Sequence, residues 1–349
     1  VSKEKMPKDL LQRLQDGENV IVAEGYLFEF EARGYLKAGG FVPEVVLEHP
    51  DLVRQMHEEF VHAGSDVVLA FTYYAHREKM RVIEREDDLV KINKEALRIA
   101  RSVADDTGTL MAGNISNTNA VIKDDPESVD YVKNIFKEQL EWAVDGGADF
   151  IVAETFQSYA EAALALEMCK QVAPNLPRVV TLAVHRDGLL DEVGVAEACR
   201  RLEEAGADVV GVNCSRGPDT MLPLLKEIRA VCKGPIAAVP VPYRTSKEFP
   251  TFFTLESYDG SGRPAFPLEL DHWLCTREQI KKFTEEAKSL GVQYLGLCCG
   301  NRSKLFREMA LAVGKQPPAA RYLPDMSKHW TRINKFGVGH DKFRKTHKF

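Results

Sequence analysis

Four segments of this chain share one pattern, in which a helical stretch ends in a turn of small residues and runs directly into a short apolar stretch. They are HAGSDVVLAF, DGGADFIVAE, EAGADVVGVNC and SLGVQYLGLCC. A glycine just past a helix can adopt the left-handed cap, and a short continuous apolar run suits a strand that is buried on both faces. Each segment therefore predicts a helix followed by a strand of a parallel sheet.

Four further apolar runs lie between these units: NVIVAEG near residue 20, TLMAGNIS near 110, RVVTLAVH near 180 and GPIAAVPVPY near 235. Between the runs, apolar residues recur at the i, i+3, i+4 and i+7 spacing of a helix with one buried face. Eight strands alternating with eight helices favour one closed (β/α)8 barrel, the TIM-barrel class of α/β fold, over an open doubly wound sheet. We expect this barrel to occupy residues 1–316.

Two segments interrupt the alternation. The stretch from Pro242 to Leu274 is long, aromatic and rich in Gly and Pro. We expect it to be an insertion after the seventh strand that lies over the C-terminal mouth of the barrel. Residues 317–349 are basic and aperiodic, and they predict an extension that packs on the barrel or on a partner subunit, with a frayed tail as the alternative.

Composition and charge exclude several classes of function. The net charge of −6 and the pI of about 5.9 argue against nucleic acid, which needs a basic binding face. No stretch approaches the ~18 consecutive apolar residues of a membrane helix, and the first residues lack an apolar signal core, so we expect no membrane association and a cytoplasmic location. The seven cysteines are an odd number at irregular spacing, which is not a disulfide framework.

Three of the cysteines fall at the C-terminal ends of predicted strands, where barrels of this type carry their chemistry. Cys214 ends the sixth strand and the adjacent pair Cys298 and Cys299 ends the eighth, so the seventh strand alone separates them. Three thiolates and one open position describe a catalytic zinc site, and Gly300 permits the turn that lets both adjacent thiols reach one ion. The alternatives are metal-free reduced cysteines or a vicinal disulfide. The others, in or beside helices, are expected to be inert core residues: Cys169, Cys199, Cys232 and Cys275.

Further motifs carry a resemblance to a known family. They are ARGYLKAG, EHPDLVRQMHEEFVHAGSDVV, FTYYAHREK, ADFIVAET, VVGVNC and GLCCG, in family order from about residue 10 to residue 315. The chain resembles the homocysteine S-methyltransferases, and among them the betaine–homocysteine S-methyltransferases. The resemblance implies Zn²⁺ held by Cys214, Cys298 and Cys299, with homocysteine sulfur at the open position. It also implies methyl transfer from glycine betaine to homocysteine, giving methionine and dimethylglycine, by a homo-oligomer.

Aromatic side chains at the expected mouth suit an onium donor, because a cation is best held by aromatic faces. The candidates are Tyr26, Phe41, Phe71, Tyr73, Tyr74 and Tyr243. The resemblance points to Tyr74 and Tyr243, and it places Phe41 where the betaine enzymes have tryptophan. Core packing is the preferred interpretation of Phe71.

Polar residues at other strand ends predict the contacts of the acceptor. A buried carboxylate at Glu154 is costly without a partner, and the resemblance assigns it to the ammonium group of homocysteine. Glu24 and Gly25, ending the first strand, are expected to let the backbone approach the amino-acid end of the substrate, and Asn213 beside Cys214 is assigned to substrate binding. Three histidines are interpreted as hydrogen-bonded loop residues rather than ligands: His76, His185 and His272.

Three residues near the pocket depart from the betaine enzymes. Glu24 stands where they have aspartate, Tyr26 where they have glycine and Thr155 where they have tyrosine. These changes leave the donor open, with a sulfonium such as S-methylmethionine or dimethylsulfoniopropionate as the alternative. Two other classes are a catalytically silent zinc-binding barrel and a metal-free barrel enzyme for phosphorylated substrates. The latter is disfavoured because VPYRTS and CCGNRS lack a Gly-rich phosphate turn.

Overall fold

A computed structural model of the chain describes residues 8–328 and contains one closed sheet of eight parallel strands. The strands are β1 (Val20–Ala23), β2 (Val67–Leu69), β3 (Leu110–Ser116), β4 (Phe150–Phe156), β5 (Arg178–Leu182), β6 (Val209–Asn213), β7 (Ile236–Val239) and β8 (Val292–Leu297). Each strand pairs with the next, and β8 pairs with β1, where Ala23 lies opposite Leu297. The predicted (β/α)8 barrel is confirmed.

Helices cover the outside of this sheet. In chain order they are α1 (Leu10–Gln15), α2 (Tyr26–Ala32), α3 (Val45–Glu48), α4 (Pro50–Ala63), α5 (Arg77–Val82), α6 (Leu89–Thr107), α7 (Pro126–Asp145), α8 (Tyr159–Val172), α9 (Val195–Glu204), α10 (Pro218–Val231), α11 (Arg277–Ser289) and α12 (Ser303–Ala312). The eight longest correspond to the eight predicted helices. The periodicity did not predict four short ones, α1, α2, α3 and α5, because each has only one or two turns.

Local sequence signals set the ends of the long helices. Asp125 caps α7 by accepting a hydrogen bond from the amide of Glu127, and Pro126 occupies the first turn, where its missing N–H costs nothing. Gly64 ends α4 in the left-handed conformation that the sequence pattern predicts, and Gly108 ends α6 in the same conformation. These caps place the start of the following strand.

The barrel interior is filled rather than open. All seven residues of β3 and of β4 are buried, because the helices cover the outer face of the sheet and side chains fill the inner one. Tyr294 of β8 packs edge-on against Phe150 of β4, with ring centroids 6.4 Å apart. The chemistry is therefore confined to the end of the barrel where the strands terminate.

The insertion after β7 lies over that end, as predicted. A bridge between Tyr243 and Leu274 closes its base. Its two short 3-10 helices span Phe252–Thr254 and Leu270–Trp273. The amide of Phe252 donates to the carbonyl of Ser215, which ties the insertion to the segment after β6.

The first part of the C-terminal extension packs on the barrel. A 3-10 helix over Pro318–Tyr322 lies against α4 and α12, and Arg307 of α12 donates to the carbonyl of Ala319. Residues 329–349 lie outside the described part of the chain, so the proposed oligomer contact of the extension stays a prediction. Within residues 8–328, no helix is both long enough and apolar enough to cross a bilayer.

Candidate metal centre and adjoining cavities

Three cysteine thiols meet at the C-terminal ends of β6 and β8. The Sγ atom of Cys299 lies 3.8 Å from that of Cys214 and 3.9 Å from that of Cys298, and all three lie within 4.8 Å of one another. The structure thus brings together the three residues that the sequence singles out. The other four cysteines are buried and free, as expected.

The backbone turns sharply at both strand ends. Cys214 and Ser215 have φ of 54° and 56°, a left-handed conformation that non-glycine residues adopt only at some cost. The amide of Cys214 still donates to Val239 of β7, so the turn begins on the last rung of the sheet. After β8, Gly300 has φ of 86° and allows the turn that points two neighbouring thiols at one spot.

The sulfur separations suit a single metal ion. Thiolates arranged tetrahedrally at about 2.3 Å from one ion lie about 3.8 Å apart. Two of the three separations, 3.8 and 3.9 Å, agree with this value, and the third is within 4.8 Å. Three sulfurs leave the fourth position of such a site for another ligand.

The electrostatic surroundings shift the pKa values of the thiols in different directions. Hydrogen bonds from Cys298 and Cys299 lower the pKa of the Cys214 thiol, and the same contact with Cys214 raises the pKa of Cys298. Cys214 is therefore the first of the three to become a thiolate. A bound cation supplies the charge that the remaining thiols need in order to lose their protons.

Two buried carboxyl groups lie beside the sulfur cluster. Oxygens of Glu24, which follows β1, and of Glu154 in β4 lie within 4.8 Å of each other and of the Cys298 sulfur. Burial, and then the charge of Glu154, raise the pKa of Glu24, so the two groups do not both ionise. Among the described residues the Oε2 atom of Glu24 has no hydrogen-bond partner, which marks it as a candidate ligand contact.

Glu154 is not the unpartnered acid that the sequence argument assumes. It accepts hydrogen bonds from the side-chain amides of Asn114, at 2.5 Å, and Asn213, at 3.0 Å. The side-chain oxygen of Asn213 also accepts from the backbone amide of Thr155, which fixes the orientation of the amide that holds the acid. Sequence reasoning missed Asn114, although one Asn in the buried strand LMAGNIS is the signal that could have revealed it.

Gly25 is required by packing rather than by access alone. Its φ is 73°, and a Cβ atom there would lie 2.3 Å from the carbonyl carbon of Cys298 and from the nitrogen of Cys299. Any side chain would push on the peptide that joins two of the thiols. The close approach of β1 to the end of β8 therefore depends on glycine at this position.

Two cavities adjoin the cluster on different sides. The smaller, of about 20 Å³, reaches Gly25, Glu154 and Cys298, and the larger, of about 310 Å³, reaches Cys214. Both are lined by Leu27, Tyr73 and Cys299. The sulfur cluster thus adjoins a small space that reaches the acid Glu154 and a larger one with an aromatic wall.

The larger cavity is walled mainly by aromatic rings. Phe41 and Tyr74 line it, as the sequence predicts, both with positive φ. Sequence reasoning missed four further rings on the lining, although the aromatic-rich insertion supplies three of them: Phe28, Phe252, Phe253 and Phe266. Phe28 stacks on Phe41 with centroids 5.5 Å apart.

Two of the candidate aromatic residues do not line the larger cavity, so a contact of either with the donor stays a prediction. Tyr243 does not line the larger cavity, since its ring lies against Gly300, where a Cβ would be 2.1 Å from the phenol oxygen. Tyr26 is turned toward α4, packs edge-on against His57 and Phe71, and donates to the carbonyl of Ala23. It borders only the smaller cavity, so it adds no ring to the aromatic wall, whereas Phe71 is a core residue as expected.

The three histidines that we interpreted as hydrogen-bonded loop residues differ in their surroundings. His76 is buried, and neither ring nitrogen has a hydrogen-bond partner within residues 8–328; the Nε2 atom of His185 also lacks one there. His272 is exposed and stacks on Tyr258 with centroids 4.9 Å apart. None of the three joins the cysteine cluster.

Comparisons with known proteins identify the family of the chain. A family model described as homocysteine S-methyltransferase matches residues 24–313. The chain is 37% identical over 333 residues to betaine–homocysteine S-methyltransferase 1 of Mus musculus, covering 92% of this chain and 79% of that protein. It is 35% identical over 319 residues to an S-methylmethionine–homocysteine S-methyltransferase of Mus musculus, covering 90% and 84%.

A solved structure shares the fold. The metallated form of the homocysteine methyltransferase MmuM from Escherichia coli superposes with a TM-score of 0.67 at 17% identity, covering 86% of this chain and 99% of that one. The resemblance seen in the sequence motifs is confirmed by the family match and by relatives above one-third identity. The chain belongs to the homocysteine S-methyltransferase family.

Proposed function

We propose that this protein is a zinc-dependent enzyme that transfers a methyl group from an onium donor to the thiol of homocysteine, giving methionine. The observation that carries the proposal is that the three-thiol cluster adjoins both a small cavity that reaches Glu154 and a larger cavity with an aromatic wall. An amino-acid acceptor suits the first cavity and a cationic donor the second. The methyl group would then move only from the donor in the second cavity to the acceptor sulfur at the adjoining cluster.

Cys214, Cys298 and Cys299 would hold the zinc. Soft thiolate ligands suit this ion, and the sulfur separations fit its bond length. A free thiol with a pKa near 8.5 is mostly protonated at neutral pH. Bound zinc would lower the pKa of the acceptor thiol at its open position and so supply the nucleophile as a thiolate.

Glu24 and Glu154 would bind the ammonium group of the acceptor. The unpartnered Oε2 atom of Glu24 has no competing donor among the described residues, and the positive charge of a substrate ammonium would offset the repulsion between the two acids. Asn114 and Asn213 keep Glu154 oriented for this contact. The cavity here holds about 20 Å³, so neighbouring side chains must move when an amino acid enters.

The aromatic cavity would hold the donor. Ring faces of Phe28, Phe41 and Tyr74 attract a cation while excluding water. In the transfer a bond forms between sulfur and the methyl carbon, and the electron pair of the breaking bond stays on the onium atom. An anion and a cation become two neutral groups, and a dry pocket favours this loss of charge.

Glycine betaine is the donor that we place first, with dimethylglycine as the second product. Relatives of similar identity carry betaine or S-methylmethionine in their names. A sulfonium donor is therefore the second candidate, since ring faces bind either kind of onium. A catalytically silent zinc-binding barrel is the candidate from another class.

The experiment combines a metal assay with a donor screen. Purified protein and its Cys214→Ala variant are analysed for zinc, then incubated with homocysteine and glycine betaine, S-methylmethionine or dimethylsulfoniopropionate. We expect one zinc per chain and methionine formation, both lost in Cys214→Ala. Cys169→Ala, at a buried cysteine of α8, serves as the matched control and should keep both. Zinc binding without methionine from any donor would favour the silent barrel.

We further propose that the protein acts in the cytoplasm as a homo-oligomer. A cluster of three free thiols requires a reducing compartment to remain available for a metal. Residues 317–349 would supply the contact between subunits. Sedimentation of the full chain and of a chain ending at residue 316 tests this role, because loss of the oligomer on truncation is expected.

A further inference from the structure

A lysine lines the aromatic cavity. Lys79 lies in α5, and its Nζ atom is 4.3 Å from the centroid of the Tyr74 ring. Among the described residues that line this cavity, it is the only Lys or Arg, surrounded mainly by rings and small groups. A cation at this place is unexpected in a pocket that would receive another cation.

The ammonium of Lys79 has no anionic partner within 4.0 Å in the described part of the chain. The neighbouring carboxylate, Glu78, is bound to the guanidinium of Arg81 and to the phenol of Tyr131. Partial burial lowers the pKa of Lys79, which reflects the cost of removing a charge from water. An anion brought into the cavity would offset this cost.

We infer that Lys79 binds a carboxylate on the methyl donor, so that the enzyme accepts onium compounds that are zwitterions and rejects onium cations that lack an acid group. This inference rests on the proposed function. A bare cation would be repelled by Lys79 at close range, whereas a zwitterion presents its carboxylate to the lysine and its onium group to the rings.

The layout of the cavity sets the direction of the donor. Lys79 and Tyr74 lie on the same lining as Cys214 and Cys299. A donor whose carboxylate meets Lys79 can direct its onium methyl groups toward the sulfur cluster. Glycine betaine and dimethylsulfoniopropionate both carry such a carboxylate, and it remains on the demethylated product. Lys79 should therefore also bind that product.

The test compares each donor with its methyl ester, which keeps the onium group and removes the negative charge. The probes are glycine betaine, dimethylsulfoniopropionate and their methyl esters, each with homocysteine and the zinc-loaded protein. The variants are Lys79→Met, which keeps the apolar stem, and Lys79→Arg, which keeps the charge. Lys123→Met is the matched control, because Lys123 is exposed at a neighbouring surface cavity and does not line the aromatic one.

We expect the wild type to prefer acid to ester by about ten- to hundredfold in KM, the range for one hydrogen bond between charged groups. Lys79→Met should abolish this preference by raising KM for the acid, with kcat little changed. Lys79→Arg should retain most of it, and Lys123→Met all of it. Calorimetry should also show that dimethylglycine binds the wild type but not Lys79→Met, a readout that needs no turnover.

Two results would overturn the inference while leaving the proposed function intact. One is a wild type that methylates homocysteine equally well from acid and ester. The other is a Lys79→Met variant, with wild-type zinc content and thermal midpoint, that still prefers the acid. If the wild type makes no methionine from any of the four probes or from S-methylmethionine, the proposed function fails, and the inference fails with it.

Discussion

Asn213 donates a hydrogen bond of 3.0 Å to the carboxylate of Glu154, and the next residue after Asn213 is the metal-ligand candidate Cys214. One strand end thus orients the acid of the acceptor site and supplies a sulfur. The two roles are separable, because the amide touches the acid and not the thiols.

Asn213→Ala tests that separation. Removing the amide leaves a buried carboxyl group with one fewer donor, and bonds of this kind contribute about 1.5–3 kcal/mol. We expect KM for homocysteine to rise by about ten- to hundredfold while the zinc content stays at one per chain. Loss of zinc from the variant would instead show that the strand end acts as one unit.

Gly25→Ala is expected to lower the zinc content as well as the free energy of unfolding. A Cβ there would lie 2.3 Å from the Cys298–Cys299 backbone, so the thiols must shift. Gly17→Ala is the matched control, since Gly17 has φ of 77° with open space around it. The control should lose about 1–2 kcal/mol of unfolding free energy and keep its zinc. Equal zinc contents in the two variants would contradict the role given to Gly25.

Metal removal should be reversible and should reveal the open position. Treatment with a chelator is expected to abolish methyl transfer and lower the thermal midpoint, because a ligand that binds only the folded state stabilises it. Zinc added under reducing conditions should restore both. X-ray absorption should report three protein sulfurs per zinc, and a fourth when homocysteine is added. A coordination shell that homocysteine leaves unchanged would indicate the silent barrel.

Because His57 is buried, we expect the free energy of unfolding to fall in acid. Its ring is fully buried, and burial lowers its pKa from 6.5 to about 3. Below pH 6.5 the unfolded chain takes up a proton that the folded chain refuses, so unfolding free energy falls by up to about 1.4 kcal/mol per pH unit until about pH 3. His57→Leu should flatten this part of the stability profile in chemical denaturation. His62→Leu, at an exposed position of the same helix, should not.

The fold was predictable because its signal repeats along the chain. A helix, a glycine and a buried strand recur along the chain. Units of this kind build a parallel barrel, and each can be recognised from its local sequence alone. The convergence of Cys214 with Cys298 and Cys299 followed from the same logic, since the ends of β6 and β8 flank β7. The barrel and the convergence of the cysteines were both predicted from the order of strands and helices along the chain.

Side-chain direction was less predictable. Tyr26 follows β1 at the mouth in sequence, yet its ring packs toward His57 of α4, and Tyr243 is held against Gly300. Packing between elements that are distant in sequence decides such orientations. Lys79 was missed for a related reason, because a lysine in a short helix is ordinarily solvent-exposed and only the completed pocket gives it a role.

The meeting of the first and last strands has a further consequence for how the protein can be assayed. The backbone amide of Glu24 donates to the carbonyl of Leu297 across the junction of β1 and β8, and Leu297 directly precedes Cys298. Gly25, the residue after Glu24, packs on the peptide between Cys298 and Cys299, so the positions of these two thiols depend on the docking of the last strand beside the first. If the protein binds zinc as proposed, the zinc content per molecule would therefore measure the fraction of a preparation that has finished folding, without any substrate.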